Sequence, residues 1–299
     1  MTEALTVLSN WAAEHADWPT PKTLDGILRA TFARATKTFN AAVLLTDQGY
    51  GPQAGMLARS LFEDMLVAYW MTFCADEAWV RRRIDDRMQF GRLLMRETAL
   101  KHRWEIRPEE DIPEADMRKL REDEPRYAAT FGPFGDVSWW AATDVHQKTT
   151  KKGEAGKWVA GGRRQLVGLV RALDAHPGRE GGPFDQVVGQ RPDEGEHTTL
   201  RRMYDIAHNF NNMMLHHSPF SMELHVYGEA GGNPDTWNEE PSDQWVAQIQ
   251  LCLFWTYGQL ILLMCQTLNP DLVDEAIELF ERTLSSAFDQ RASGAPDER

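Results

Sequence analysis

Apolar residues along this chain recur three and four positions apart, and no convincing run alternates with the period of two that a strand requires. The first such pattern predicts a helix over about Glu3 to Ala16 that stops before Pro19. Leu24, Ile27, Leu28, Thr31, Ala35, Phe39, Ala42 and Val43 mark the stripe of a second helix, from about Pro21 to Asp47. Gly-Tyr-Gly-Pro at 49–52 is a turn signal, and a third helix follows it from about Gln53 to Phe73. Asp76 has the character of an N-cap, and Trp79 and Val80 open a fourth helix that reaches about Lys101.

The middle of the chain is less periodic. Residues 105–125 are acidic and carry Pro108 and Pro113, and residues 127–160 are rich in Gly, Trp and Lys. Loops are expected there, with a short helix near Glu114 to Arg121. A further helix is expected from about Gly162 to Ala175, followed by a surface loop from Pro177 to Glu196. A polar helix then runs from about Thr198 to His217 and ends near Pro219. Tyr227 to Pro241 reads as a second acidic loop. Ser242 caps a long apolar helix to about Leu268, and Pro270 opens an amphipathic one to about Gln290. The fold expected is all-α: a single helical bundle of about eight to nine helices with long loop insertions. Residues 1–290 form its one domain, and residues 291–299 a disordered tail.

Composition narrows the classes available. A hydrophobic share of 42% with 26% charged residues is that of an ordinary globular chain rather than a disordered one. The net charge of −13 opposes nucleic acid and anionic membrane, so RNA would have to meet a local basic patch. Two stretches qualify. One holds Arg81, Arg82, Arg83, Arg87, Arg92, Arg96, Lys101 and Arg103; the other holds Lys148, Lys151, Lys152, Lys157, Arg163 and Arg164. Cys74, Cys252 and Cys265 lie in apolar surroundings without metal-ligand spacing, which reads as reduced thiols in a cytoplasmic protein. The N-terminus lacks the basic-then-apolar order of a signal peptide. Ile249 to Cys265 falls short of a membrane span and is interrupted by Gln250, Gly258 and Gln259. It reads as a central buried helix, and no membrane partner is expected.

Candidate chemistry gathers on two helices. Arg59 and Glu63 are four apart and share a face that continues as Leu66 and Trp70, which predicts a partly buried charge pair. Such a pair needs further polar partners, and the histidine helix is their natural source. At 100° per residue, Arg201, His208, Asn212 and His216 fall near one face of that helix, flanked by Tyr204 and Asp205. Met203, Ala207, Phe210 and Met214 lie mostly elsewhere. His208 is a candidate acid or base, and Arg201 or Arg202 a candidate cation for a phosphate, which is the logic of a metal-independent ribonuclease. Asp205 and His208, taken with Glu63, also give part of a di-iron carboxylate pattern, although no second Glu-x-x-His completes it. His216 and His217 are adjacent and point apart, which does not suit one metal; no metal and no cofactor are expected. A non-enzymatic ligand- or partner-binding bundle is the alternative. Trp139, Trp140, Trp158, Trp237, Trp245 and Trp255 suit a protein partner or an aromatic-lined pocket.

The succession of Gly49 to Met71, Asp76 to Leu94 and the segment from Met203 to Pro219 resembles a bacterial family known only as a domain of unknown function. Its hallmarks are a turn, an Arg-Ser-Leu-x-Glu helix and a later Tyr…His helix. Arg59, Ser60, Leu61, Glu63, Tyr204 and His216 match them, over about residues 25 to 268. The all-α pattern is also similar to the HEPN superfamily (higher eukaryotes and prokaryotes nucleotide-binding). Many of its members are ribonucleases of toxin–antitoxin and antiphage systems. Their motif is an arginine, four to six residues and a histidine. Five residues separate Arg202 from His208, and six separate Arg201 from it, although Met203 stands where a polar residue is common. That resemblance implies a homodimer with the site at its interface.

Overall fold

The structure, a computed structural model, describes residues 2–14, 24–104, 113–147, 158–176, 199–210 and 245–292. In chain order these form α1 (Thr2–Glu14), α2 (Leu24–Asp47), α3 (Gly51–Phe73), α4 (Glu77–His102), α5 (Glu114–Phe131), β1 (Val145–Gln147), β2 (Trp158–Ala160) and α6 (Leu166–Asp174). Then come α7 (Thr199–Tyr204), a π-helical turn (Asp205–Phe210), α8 (Val246–Leu268), a 3₁₀ turn (Pro270–Leu272) and α9 (Val273–Ala292). The class is all-α. The two strands are a correction to the loop expected at 127–160: they pair antiparallel, with His146 opposite Val159. Their three-residue length leaves too little alternation to be read from sequence. Helix α5 also runs a further ten residues past the expected end at Arg121, because Pro125 inside it removes one hydrogen bond without ending the helix.

Two compact units emerge, one from Met1–Cys74 with Val170–Arg299 and the other from Ala75–Leu169. In the first, α2 ends in a Schellman turn. Gly49 adopts φ 77° and donates its N–H to the Thr46 carbonyl, and Tyr50 donates to Leu45. Pro52 then stands in the first turn of α3, where no amide hydrogen is needed. Helices α2, α3 and α8 pack together. Burial runs nearly all round α3 from Leu61 to Met71 and round α8 from Ile249 to Cys265, where Phe62, Tyr69, Phe254 and Leu263 are fully buried. The Tyr257 ring stacks on Phe39 at 4.0 Å and on Phe32 at 5.8 Å, while its hydroxyl lies 2.9 Å from Thr36 Oγ1. The Tyr69 hydroxyl bridges to the Gln259 carbonyl and Oε1, both at 3.0 Å. Gly258 has no side chain because the Phe280 ring of α9 occupies that space. Among the described residues α8 alone is long and apolar enough to cross a membrane, and 72% of its apolar window is buried inside the protein. Its N-cap is Trp245, at φ 65°; the expected cap, Ser242, lies outside the described residues.

The second unit is held differently. Phe90, Leu93, Met117, Leu120, Tyr127, Phe131, Val137 and Ala142 form its apolar cluster. Around the cluster, arginines tie chain segments together. Arg83 is buried, bonds Asp144 and the Thr143 carbonyl, and lies 3.8 Å from Asp86. Arg87 donates to the Gly135 carbonyl at 2.6 Å. Arg126 grips both oxygens of Asp86 at 2.9 and 3.0 Å. Arg164 donates to the carbonyls of Trp140 and Ala142, and its guanidinium lies 4.3 Å from the Trp79 ring centroid. Asp76 caps α4 as the sequence suggests, accepting the Trp79 N–H at 2.7 Å.

Candidate functional site

The polar segment is not one α-helix. From Asp205 to Phe210 it widens into a π-turn, with hydrogen bonds to the fifth residue rather than the fourth. The 100° increment used to place its polar face therefore fails after Tyr204. The turn packs against α3, and the contact is aromatic: the buried Tyr204 ring lies 6.5 Å from Phe62. His208, half-buried, stacks on the Tyr204 ring, its imidazole 5.0 Å away and only 9° from parallel. The Arg201 guanidinium lies 5.2 Å from the same ring, and its Nε is 3.6 Å from Asp205. Thus Arg201, Tyr204 and His208 come together in one stacked column, braced by Asp205. Arg202 is exposed beside it. Asn212, His216 and His217 lie outside the described residues, so the far half of the expected polar ladder does too.

The expected Arg59–Glu63 pair is not formed. Both side chains are half-buried on α3, yet among the described residues no ion pair joins them. The Arg59 Nε is buried and meets no hydrogen-bond acceptor. The buried acid is instead one residue further along, where Asp64, itself 3% exposed, is gripped by the largely exposed Arg34 of α2 through Nε at 3.1 Å and Nη2. Burial pushes the Asp64 carboxyl up to about 6, against the pull of Arg34 and helped by the charge of Glu63. Two adjacent carboxylates, Glu63 and Asp64, offer the same composition to a sequence reading. Which one is buried depends on how α3 is rotated against α2, and no local signal carries that.

The metal reading does not assemble. Among the described residues no group of three or more His, Cys, Asp or Glu is placed to hold an ion, so Glu63, Asp205 and His208 do not form one. Nor do the thiols offer a nucleophile: burial raises Cys252 and Cys265 to about 12. The first basic stretch is also partly consumed. Arg83, Arg87 and Arg96 turn to Asp144, Gly135 and Glu114, and Arg81 pairs with Glu77, which leaves Arg82, Arg92, Lys101 and Arg103 on the surface. Most of the second stretch, Lys148 to Lys157, lies outside the described residues.

The bundle of α2, α3 and α8 with an Arg–Tyr–His turn laid on α3 defines a helical protein whose distinguishing segment is that turn. The chain belongs to DUF5677, a family of unknown function, whose model matches residues 25–233. The match takes in both α3 and the turn but stops short of α8, so it is narrower than the 25 to 268 read from the sequence. No curated protein matches the chain, and no solved structure does.

Proposed function

We propose that the Arg201–Tyr204–His208 turn is an acid–base site that cleaves phosphodiesters in RNA without a metal. The observation that carries this is His208, in the π-turn, stacked on Tyr204 at the end of α7 with Arg201 beside the same ring. A π-turn forfeits regular α-helical bonding and is found often at functional sites. Here it presents a half-exposed imidazole on a fixed aromatic platform. His208 takes the ribose 2′-hydroxyl proton as that oxygen attacks phosphorus and, as imidazolium, returns it to the 5′ oxygen whose bond breaks; exposed Arg202 holds the phosphate, and Arg201 with Asp205 positions the platform. In solution the chain, in EDTA, is expected to cleave a mixed RNA pool. His208→Ala and Arg202→Ala should each lower the rate by about a hundredfold or more while circular dichroism is unchanged. Absence of cleavage by the unaltered chain, or equal cleavage by the variants, defeats the reading.

A second reading, binding of a small anion without turnover, is favoured by the buried Arg59 Nε that lacks an acceptor. On this reading phosphate or a nucleotide raises Tm in the unaltered chain and not in Arg59→Met. A homodimer, a role in defence against phage and a cytoplasmic setting go with the ribonuclease reading and are part of the same proposal.

A further inference from the structure

Arg59 and Glu63 stand four residues apart on the outward side of α3, and neither has a partner. Both are half-buried, and among the described residues neither makes a hydrogen bond or an ion pair, with the other or with any neighbour. Their order accounts for part of this, because an arginine one turn ahead of a glutamate is the weaker arrangement of such a pair. The Arg59 Nε is nevertheless shut away from solvent. A charged donor buried without an acceptor is costly unless something else meets it. The surroundings form a ledge. Met56 and Ser60, on the same side of α3, are exposed, whereas Val67 and Trp70, one and two turns beyond Glu63, are buried. The outward face therefore passes from open to covered at Glu63. Phe62, against which the π-turn rests through Tyr204, is three residues from Arg59.

The two charges together select the ligand. An anion alone on Arg59 would stand beside the Glu63 carboxylate, and a cation alone on Glu63 would stand beside the guanidinium. A ligand with an anionic group at one end and N–H donors at the other satisfies both. A carboxylate takes two parallel N–H bonds best from a planar fork. Such a fork occurs in a guanidinium and on the pairing edge of guanine, whereas adenine and cytosine set one donor beside an acceptor. We propose that Arg59 and Glu63 bind a small ligand that joins an anionic group to a planar pair of N–H donors, as a guanine nucleotide or free arginine does. Anion binding at Arg59 is the reading this rests on; Glu63 decides what the anion is attached to.

The test is isothermal titration calorimetry on the full chain with guanosine 5′-monophosphate, adenosine 5′-monophosphate, arginine, norvaline and inorganic phosphate. Within each pair, the two nucleotides and the two amino acids, the anion is the same and only one member has the fork, so the pairs separate the two sources. In one pair the member with the fork is expected to bind about tenfold or more tightly than the other, and more tightly than phosphate. Arg59→Met should weaken that ligand by about tenfold or more. Glu63→Gln should remove most of its advantage over its pair, since an amide sets one acceptor beside one donor and has no charge. Both side chains are partly exposed, so circular dichroism should be unchanged. If all five compounds bind alike and Arg59→Met abolishes binding, anion binding stands and the role of Glu63 falls. If none binds, both fall. An advantage that survives Glu63→Gln also overturns the proposal.

Discussion

The two units reach stability by different chemistry. Around α2, α3 and α8 the buried groups are mostly rings and aliphatic chains, with hydroxyls bonded across the packed helices, as Tyr257 to Thr36 and Tyr69 to Gln259. Around α4 and α5, five arginines (Arg83, Arg87, Arg96, Arg126 and Arg164) bind backbone carbonyls and carboxylates. The difference follows from the partners available. Long helices satisfy their own backbone and need only apolar cover. The described residues between Gly132 and Arg164 have little regular structure, so their carbonyls need outside donors, and a guanidinium supplies up to five.

Four substitutions break or sharpen that contrast. Tyr257→Ala removes the ring at the centre of the aromatic stack and should cost about 3–5 kcal/mol in urea unfolding. Retention of full stability would mean the stack is incidental. Arg83→Met keeps the volume and loses the bonds to Asp144 and Thr143. It should cost about 2–3 kcal/mol and speed amide exchange across residues 132–147, while α8 exchanges as before. Exchange rising equally in α8 would erase the distinction between the units.

Asp64 is the exception on the apolar side, and its pH dependence tests that. In the folded chain it holds its proton up to about pH 6, whereas an unfolded chain releases it near 3.9. Folding is therefore favoured below the lower value and loses about 3 kcal/mol as pH rises through the higher one. Asp64→Asn should flatten stability between about pH 4 and 7; a slope that persists would place it elsewhere. Smallest is Asp76→Ala, about 1 kcal/mol from the lost cap of α4, read as a drop in Tm.

Much of the fold was legible because it rests on local signals. Gly49 and Pro52 announce the α2–α3 turn, Asp76 the start of α4, and the largely apolar run after Ile249 a helix buried nearly all round. The site was legible by residue type and not by geometry. Arg201, Tyr204 and His208 do come together, but through a π-turn that no periodicity shows, and Asp64 rather than Glu63 is the buried acid. The arginines of α4 read as a solvated face because their acceptors are carbonyls some fifty or sixty positions away, which composition does not reveal.

The π-turn also bears on how this segment tolerates change in length. A turn closed to the fifth residue holds one residue more than its α-helical counterpart. Loss of a single codon at exposed Ile206 would let the turn close as an ordinary helix, with His208 then three rather than four positions from Tyr204. Within the family, insertion and deletion at this point would re-aim the histidine without disturbing the bundle that carries it.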